Sequence, residues 1–247
     1  MIRGDRPTVA AFRPNDHRIE AAEQVLAALD VEPVLDPMLE IQPTGDLPDP
    51  TTDVVIFTST SGVAIITAAD WHPNDARICA IGPRTAEALT DAGYEVDLIP
   101  DTYTSSGMVA ALRSTVDGQT VTIARSVHGS KTLPEGLREA GASVSDIALY
   151  RLVRPAGAGH STDLAAQGTL DGALFTSRLT VEHFLAAAAD RGHRDETVSG
   201  LEGAVVGAIG PPTVEALEEN AVIADVVPDE ATFRTLARET VELIRHR

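Results

Sequence analysis

At 247 residues, 43% of them apolar and only 4% aromatic, the chain is long enough for one large or two small globular domains. Its longest apolar runs fall far short of the roughly 20 residues needed to cross a bilayer. Net charge is -18, spread along the chain, and Lys131 is the only lysine, so the basic face that nucleic-acid phosphates require is missing. Dispersed acid with arginine as the working cation fits a solvated surface adapted to a salty cytoplasm.

The opening MIRGDRPTVAAFRPND carries charge and proline where an export signal carries an apolar stretch, and the expectation is a soluble, cytoplasmic protein. A strand is predicted over Thr8 to Phe12, followed by Arg13, and EAAEQVLAAL has helical periodicity. DPMLEIQP, residues 36–43, alternates apolar with polar positions between prolines, as an extended crossing segment would. A second strand, Asp53 to Thr58, runs into FTSTSGV with Thr58, Ser59 and Thr60, and SGVAIITAAD follows as helix.

The strand Arg77 to Ile81 contains Cys79 in RICAI. As the only cysteine it can form no intrachain disulfide or cysteine metal cluster, and it reads as a buried thiol. AIGPRTAEAL then gives Gly82, Thr85 and a helix through RTAEALTDAG, with Gly93 at the expected C-cap. Next come strand Glu95 to Ile99, helix SSGMVAALRS, strand Thr120 to Ala124 with Arg125 behind it, and helix KTLPEGLREAG ending at Gly141. IALYRLVRP, residues 147–155, is a second alternating, proline-flanked segment and contains Tyr150.

The remainder repeats the plan: strand Gly172 to Thr176, FTSRLTV with Thr176 and Ser177, helix LTVEHFLAAAADR, strand Gly203 to Ile209, then AIGPPTVEAL with Gly210 and Thr213. PTVEALEEN, a strand Ala224 to Val227 and EATFRTLARETVELI complete the chain. Strands alternating with helices of ten to fifteen residues are the pattern of βα units on a parallel sheet. FTS and AIGP each occur twice in the same order, so the expected fold class is α/β, with two similar flavodoxin-like domains joined by a two-stranded ladder and a cleft between them. The expected boundaries are 1–37 plus 156–247 for a discontinuous domain, 44–146 for an inserted one, and linkers 38–43 and 147–155.

In such sheets the functional crevice lies beyond the carboxyl ends of the strands. Thr58, Ser59, Thr60, Gly82, Thr85, Thr176, Ser177, Gly210 and Thr213 all fall there. Glycine admits a ligand close to the backbone, hydroxyls cap the next helix, and free first-turn amides favour carboxylates or phosphates. The same residues serve equally as ordinary caps and turns. No Gly-Lys phosphate loop, Gly-x-Gly-x-x-Gly or His-Glu-x-x-His occurs, and His183 has no ligand at helical spacing, so metal and nucleotide chemistry have little support. Tyr150, one of three tyrosines, could donate a proton at neutral pH while staying protonated at rest, or simply pack a linker.

FTSTSGV with AIGPRTAEALTDAGYEV, LREAGASVSDIALYRLVRP, ALFTSRLTVEHF and AIGPPTVEAL together resemble the uroporphyrinogen-III synthase family over nearly the whole chain, from AAFRP at 10–14 onward. The resemblance implies closure of linear hydroxymethylbilane to uroporphyrinogen III, with inversion of ring D and loss of water. It implies no cofactor or metal, and a monomer that holds its substrate between two domains, neither of which acts alone. By this likeness Tyr150 assists loss of the hydroxyl group, while Arg13, Arg125 and the Ser, Thr and Gly turns hold substrate carboxylates. Ser61-Gly62 stands where the family often has Asn-Gly, Phe12 where it often has threonine, and ARSVHGSKTL matches its fifth-strand turn only loosely. Two other readings are a non-catalytic tetrapyrrole- or polyanion-sensing domain of the same fold and a periplasmic-type small-molecule binder.

Overall fold

The computed structural model describes residues 6–247, so the first five residues of the stretch read above for an export signal lie outside it. The chain begins with β1 (Thr8–Phe12), α1 (His17–Ala28) and β2 (Glu32–Leu35), then continues through β3 (Glu40–Pro43), β4 (Val54–Phe57), α2 (Thr60–Ala68), β5 (Arg77–Ala80) and α3 (Pro83–Asp91). α4 (Ser105–Leu112), β6 (Thr120–Ser126), α5 (Thr132–Glu139) and β7 (Ser143–Val153) follow. It closes with α6 (His160–Ala166), β8 (Gly172–Phe175), α7 (Arg178–Asp190), α8 (Arg194–Leu201), β9 (Val205–Ala208), α9 (Pro211–Glu218) and α10 (Phe233–His246). Contacts divide it into two compact units, the chain up to Glu40 with Val153–Arg247, and Ile41–Leu152.

The first unit holds a four-stranded sheet in the order β2-β1-β8-β9, all pairs parallel. Its central strands are apolar on both faces, as a sheet covered by helices on either side requires. Phe12, Phe175 and Phe184 form one core with ring centroids 4.5 to 5.4 Å apart, and Val9, Leu26, Leu174, Leu236 and Val241 form the other. Asp36 is fully buried; its carboxylate accepts the amides of Gly159 and Ser161 at 2.9 Å and the Ser161 hydroxyl, tying the end of β2 to the start of α6.

The second unit holds a five-stranded sheet, β3-β7-β6-β4-β5. The two alternating, proline-flanked segments of the sequence thus supply neighbouring strands. Phe57, Ile66 and Leu89 pack under α2 and α3, and Ile56, Met108, Leu112, Ile123 and Leu137 under α4 and α5. The sole tryptophan, Trp71, is buried against Phe57 and donates its Nε1–H to the Pro48 carbonyl at 2.7 Å.

Strand register shows that the units share one plan in permuted order. In the second, Phe57 pairs with Ala80 and Ala124; in the first, Phe175 pairs with Ala208 and Phe12. β4 therefore corresponds to β8, β5 to β9, β6 to β1 and β7 to β2. Arg125 and Arg13, one step further along, are equivalent, as are Asp146 and Leu35, and Tyr150 and Leu39.

The strands expected at 95–99 and 224–227 are reduced to single bridges, Cys79 with Leu98 and Gly207 with Val226. In both places an aspartate explains the shortening: Asp97 and Asp225 accept, through their side chains, the amides of Ile78 and Val206 on the neighbouring strand. β2, α6 and α8 lie where the sequence pattern predicts no element. Gly93 and Gly141 do follow α3 and α5 with positive φ, +88° and +90°, where a residue with a Cβ is strained.

Candidate active site

β4 ends at Phe57, and the chain must turn there into α2. Ser59 is extended and caps that helix, accepting the Gly62 amide at 3.1 Å. Tyr150 comes from β7, on the far side of β6, and donates its hydroxyl to the same Ser59 oxygen at 3.0 Å. Tyr150 is only 6% exposed, so its ring is fixed by packing against Leu149, Phe57 and their neighbours. With both incoming donors on its oxygen, Ser59 keeps one proton to offer outward. Two hydroxyls in series, one buried and one half-buried at the carboxyl edge, form a hydrogen-bonded chain along which a proton can pass outward. Sequence reasoning named both residues but not their partnership, because a contact across an intervening strand leaves no local signal.

The other hydroxyls divide by role. Ser177 caps α7 in a reciprocal box with Thr180, and Thr176 donates to the Phe12 carbonyl at 2.7 Å, joining β8 to β1. Thr58 is half-buried and Thr60 exposed on the first turn of α2. Thr85 and Thr213 are buried at 5% and 1%, in the first turns of α3 and α9.

Gly82 and Gly210 cap those two helices with no side chain to accept the first-turn amides. Such amides are the natural donors to an anion. The two helices differ in what they offer: α3 keeps the amide of Arg84, whereas α9 begins Pro211-Pro212 and has no N–H at either position.

The two equivalent arginines differ even more. Arg125 is engaged: Nε and Nη2 hold the Asp146 carboxylate at 2.7 and 2.5 Å, and Nη1 donates to the Ser130 carbonyl. In the first unit the position of Asp146 is Leu35, so Arg13 has no such partner. Its Nε is buried without a hydrogen-bond partner, and its guanidinium stands 5.1 Å from the centre of the Phe233 ring. Burial, reinforced by Arg18, pulls its pKa below the ordinary value against the opposing pull of Asp16. Of the two arginines, Arg13 is the one without a carboxylate partner among the described residues.

A profile of the family described as uroporphyrinogen-III synthase HemD matches residues 20–238. The chain belongs to the uroporphyrinogen-III synthase family. A putative uroporphyrinogen-III synthase from Methanothermobacter thermautotrophicus is 35% identical over 74% of this chain and 75% of its own length. A uroporphyrinogen-III synthase from Chlorobaculum parvum is 25% identical over 96% and 99%.

Among solved structures the fold is similar to a uroporphyrinogen-III synthetase from Helicobacter pylori, with TM-score 0.63, 16% identity and coverage of 86% of this chain and 93% of that one. It is also similar to a mutant uroporphyrinogen III synthase from Thermus thermophilus, with TM-score 0.62, 19% identity and coverage of 98% and 100%. Family and relatives thus make this chain a uroporphyrinogen-III synthase, a cyclising lyase of tetrapyrrole biosynthesis. Its remaining conspicuous groups are structural for a uroporphyrinogen-III synthase: Cys79 is fully buried and His183 bonds through Nδ1 to the Met38 carbonyl at 2.6 Å. Among the described residues no helix is long and apolar enough to cross a membrane.

Proposed function

We propose that the enzyme takes hydroxymethylbilane and closes it to uroporphyrinogen III with inversion of ring D, using the Tyr150–Ser59 pair as its acid. The observation that carries this reading is the hydrogen bond from the Tyr150 hydroxyl to Ser59 at the carboxyl end of β4. Loss of the substrate hydroxyl needs a proton: the C–O bond breaks, the proton completes a water molecule, and the carbon left behind is a delocalised cation. Ser59 can hand its outward proton to that leaving oxygen and be resupplied by the Tyr150 hydroxyl that donates to it. The cation then bonds to the substituted carbon of ring D, the spiro intermediate reopens on the other side, and reclosure releases a ring proton that returns through Ser59 to the Tyr150 oxygen, giving the type III product.

Unassisted closure gives the uninverted type I isomer, so the enzyme's second task is orientation. Support for that task comes from Arg13, a cation with no ion-pair partner among the described residues, the open amide of Arg84 beside Thr85, and the half-buried turns at Thr58, Thr176 and Ser177. Arg125 holds the β6 turn in shape through Asp146 rather than meeting substrate. Gly210 leaves its backbone open to a ligand and Thr60 adds an exposed hydroxyl, while Thr213, 1% exposed, packs the first turn of α9. The two compact units are proposed as separately folding domains, with linkers 38–43 and 147–155.

Freshly made hydroxymethylbilane incubated with the protein should yield type III isomer above the spontaneous type I background, resolved after oxidation by chromatography. Type I alone, at the rate without enzyme, would overturn the proposal.

A further inference from the structure

Tyr103 is the residue at the carboxyl edge of the second unit that the reaction as described leaves unused. Of the three tyrosines, Tyr94 and Tyr150 are buried and give their hydroxyls to the Trp71 carbonyl and to Ser59. Tyr103 is 59% exposed. Among the large apolar side chains left exposed in the described residues it is the only aromatic ring.

The backbone around Tyr103 is well tied. The segment runs from the Leu98 bridge to α4, where Thr104 accepts the Gly107 amide at 3.1 Å and its own amide donates to the Thr102 carbonyl at 2.7 Å. Tyr103 itself lies over Gly82: a β-carbon built on that glycine would stand 3.3 Å from Tyr103 Cβ and 3.5 Å from its ring. In the first unit the equivalent glycine, Gly210, has nothing within 4 Å. The ring is therefore a feature of one unit and not of the shared plan.

Its place on the sheet is defined by register. Ala80 pairs with Phe57, so the Gly82 turn lies one strand beyond the Ser59 turn, and Tyr150 lies two strands to the other side. At about 4.8 Å per strand, roughly 14 Å separates β5, which leads into the Gly82 turn under Tyr103, from β7, which bears Tyr150. Polar turns satisfy carboxylates, but a tetrapyrrole also has flat aromatic faces that hydroxyls and amides cannot match. An uncharged exposed ring beside those turns suits such a face by offset stacking.

We propose that Tyr103 is a positioning residue whose ring stacks on one pyrrole of the linear tetrapyrrole, fixing it relative to the Tyr150–Ser59 donor; this rests on the uroporphyrinogen-III synthase reading above. The test uses the full chain and compares Tyr103→Phe, Tyr103→Leu and Tyr103→Ala, with Ile223→Ser, 80% exposed near the amino end of β9, as control. Leucine keeps bulk over Gly82 and loses only the ring.

Phe should hold KM for hydroxymethylbilane within about twofold of wild type. Leu and Ala should raise it roughly tenfold, the scale of one lost aromatic pair with its burial, at little change in kcat or thermal midpoint. Binding of uroporphyrin III, followed by its own fluorescence, should weaken in parallel. Leu matching wild type in both KM and uroporphyrin binding, or Phe as impaired as Ala, would overturn the proposal while wild-type turnover still upheld the parent reading. A wild type that makes no type III isomer overturns both.

Discussion

Tyr150→Phe removes one oxygen and leaves the buried ring in place, so it separates the chemistry of the hydroxyl from its packing. The structural loss is a single hydrogen bond of 3.0 Å to Ser59, whose oxygen keeps its bond from the Gly62 amide. That bond is worth about 1 kcal/mol, and the thermal midpoint should fall by only about 2–8 °C. The catalytic loss should be larger: removing a general acid slows turnover about tenfold to thousandfold, or about 1.4–4 kcal/mol in the barrier.

Ser59→Ala should be the more damaging of the two to stability. It removes the cap of α2, at about 0.5–2 kcal/mol, and strands a buried phenol donor. If the two hydroxyls act in series, the double variant should be little slower than the slower single variant. Initial rates with fresh hydroxymethylbilane give the kinetic cycle, and Trp71 fluorescence, from the core of the same unit, gives the stability of each variant. Turnover of Tyr150→Phe within twofold of wild type, or rate losses that multiply fully in the double variant, would refute the proton-donating pair.

The two arginines should respond oppositely. Arg13→Met removes a half-buried cation that has no ion-pair partner among the described residues and is expected to raise KM at a stability cost of no more than about 1 kcal/mol, from the lost Phe233 ring contact, whereas Arg125→Met abandons the Asp146 carboxylate and should cost about 1–3 kcal/mol; kinetics and melts on both variants check this. Asp53 accepts the hydroxyl and the amide of Thr120, which hold its carboxyl below the ordinary range. A depressed folded pKa gives stability that is present above the unfolded value near 3.9 and is lost as pH falls through the lower folded value; Asp53→Asn should flatten the acid limb of a melt series from pH 5 downward. Burial pushes the Cys79 thiol to about 12, so a thiol reagent at pH 8 should label it only after unfolding, and rapid native labelling would contradict its core position. With a net charge of -18, thermal stability should rise steeply toward molar salt as self-repulsion is screened, and a flat salt series would remove the case for saline adaptation.

Sequence reading reached most of the fold because its strongest signals are local. Short β-branched strands, Ser and Gly-Pro helix starts and Gly C-caps each announce themselves within a few residues, and the repeated FTS and AIGP phrases mark β4, β5, β8 and β9. β2 was hidden by Pro33, which an edge strand tolerates because one row of its backbone groups is unpaired. α6 and α8, written HSTDLAA and RDETVSGL, carry too few apolar positions to show a stripe; they are held by packing on one another and on α7. The site was legible as a roster of residue types at strand ends but not as a set of relationships. That Tyr150 reaches Ser59 across β6, that Arg125 is ion-paired while Arg13 is not, and that Pro212 strips α9 of the amide Arg84 keeps on α3 all depend on register or on what occupies the equivalent position.

The permuted order of the two units has a consequence for how the chain is born. β1 is a central strand of the first unit, yet its partner β8 pairs Val9 with Gly172, and everything between them includes a whole second unit. At the ribosome's pace of about 5–20 residues per second, β1 waits roughly 10–30 s for that partner while Ile41–Leu152 is made and can close its own sheet. The nascent protein therefore carries a finished unit behind an unfinished apolar strand, Val9 to Phe12, whose natural shelter during that interval is β2 and α1 alone, or a chaperone.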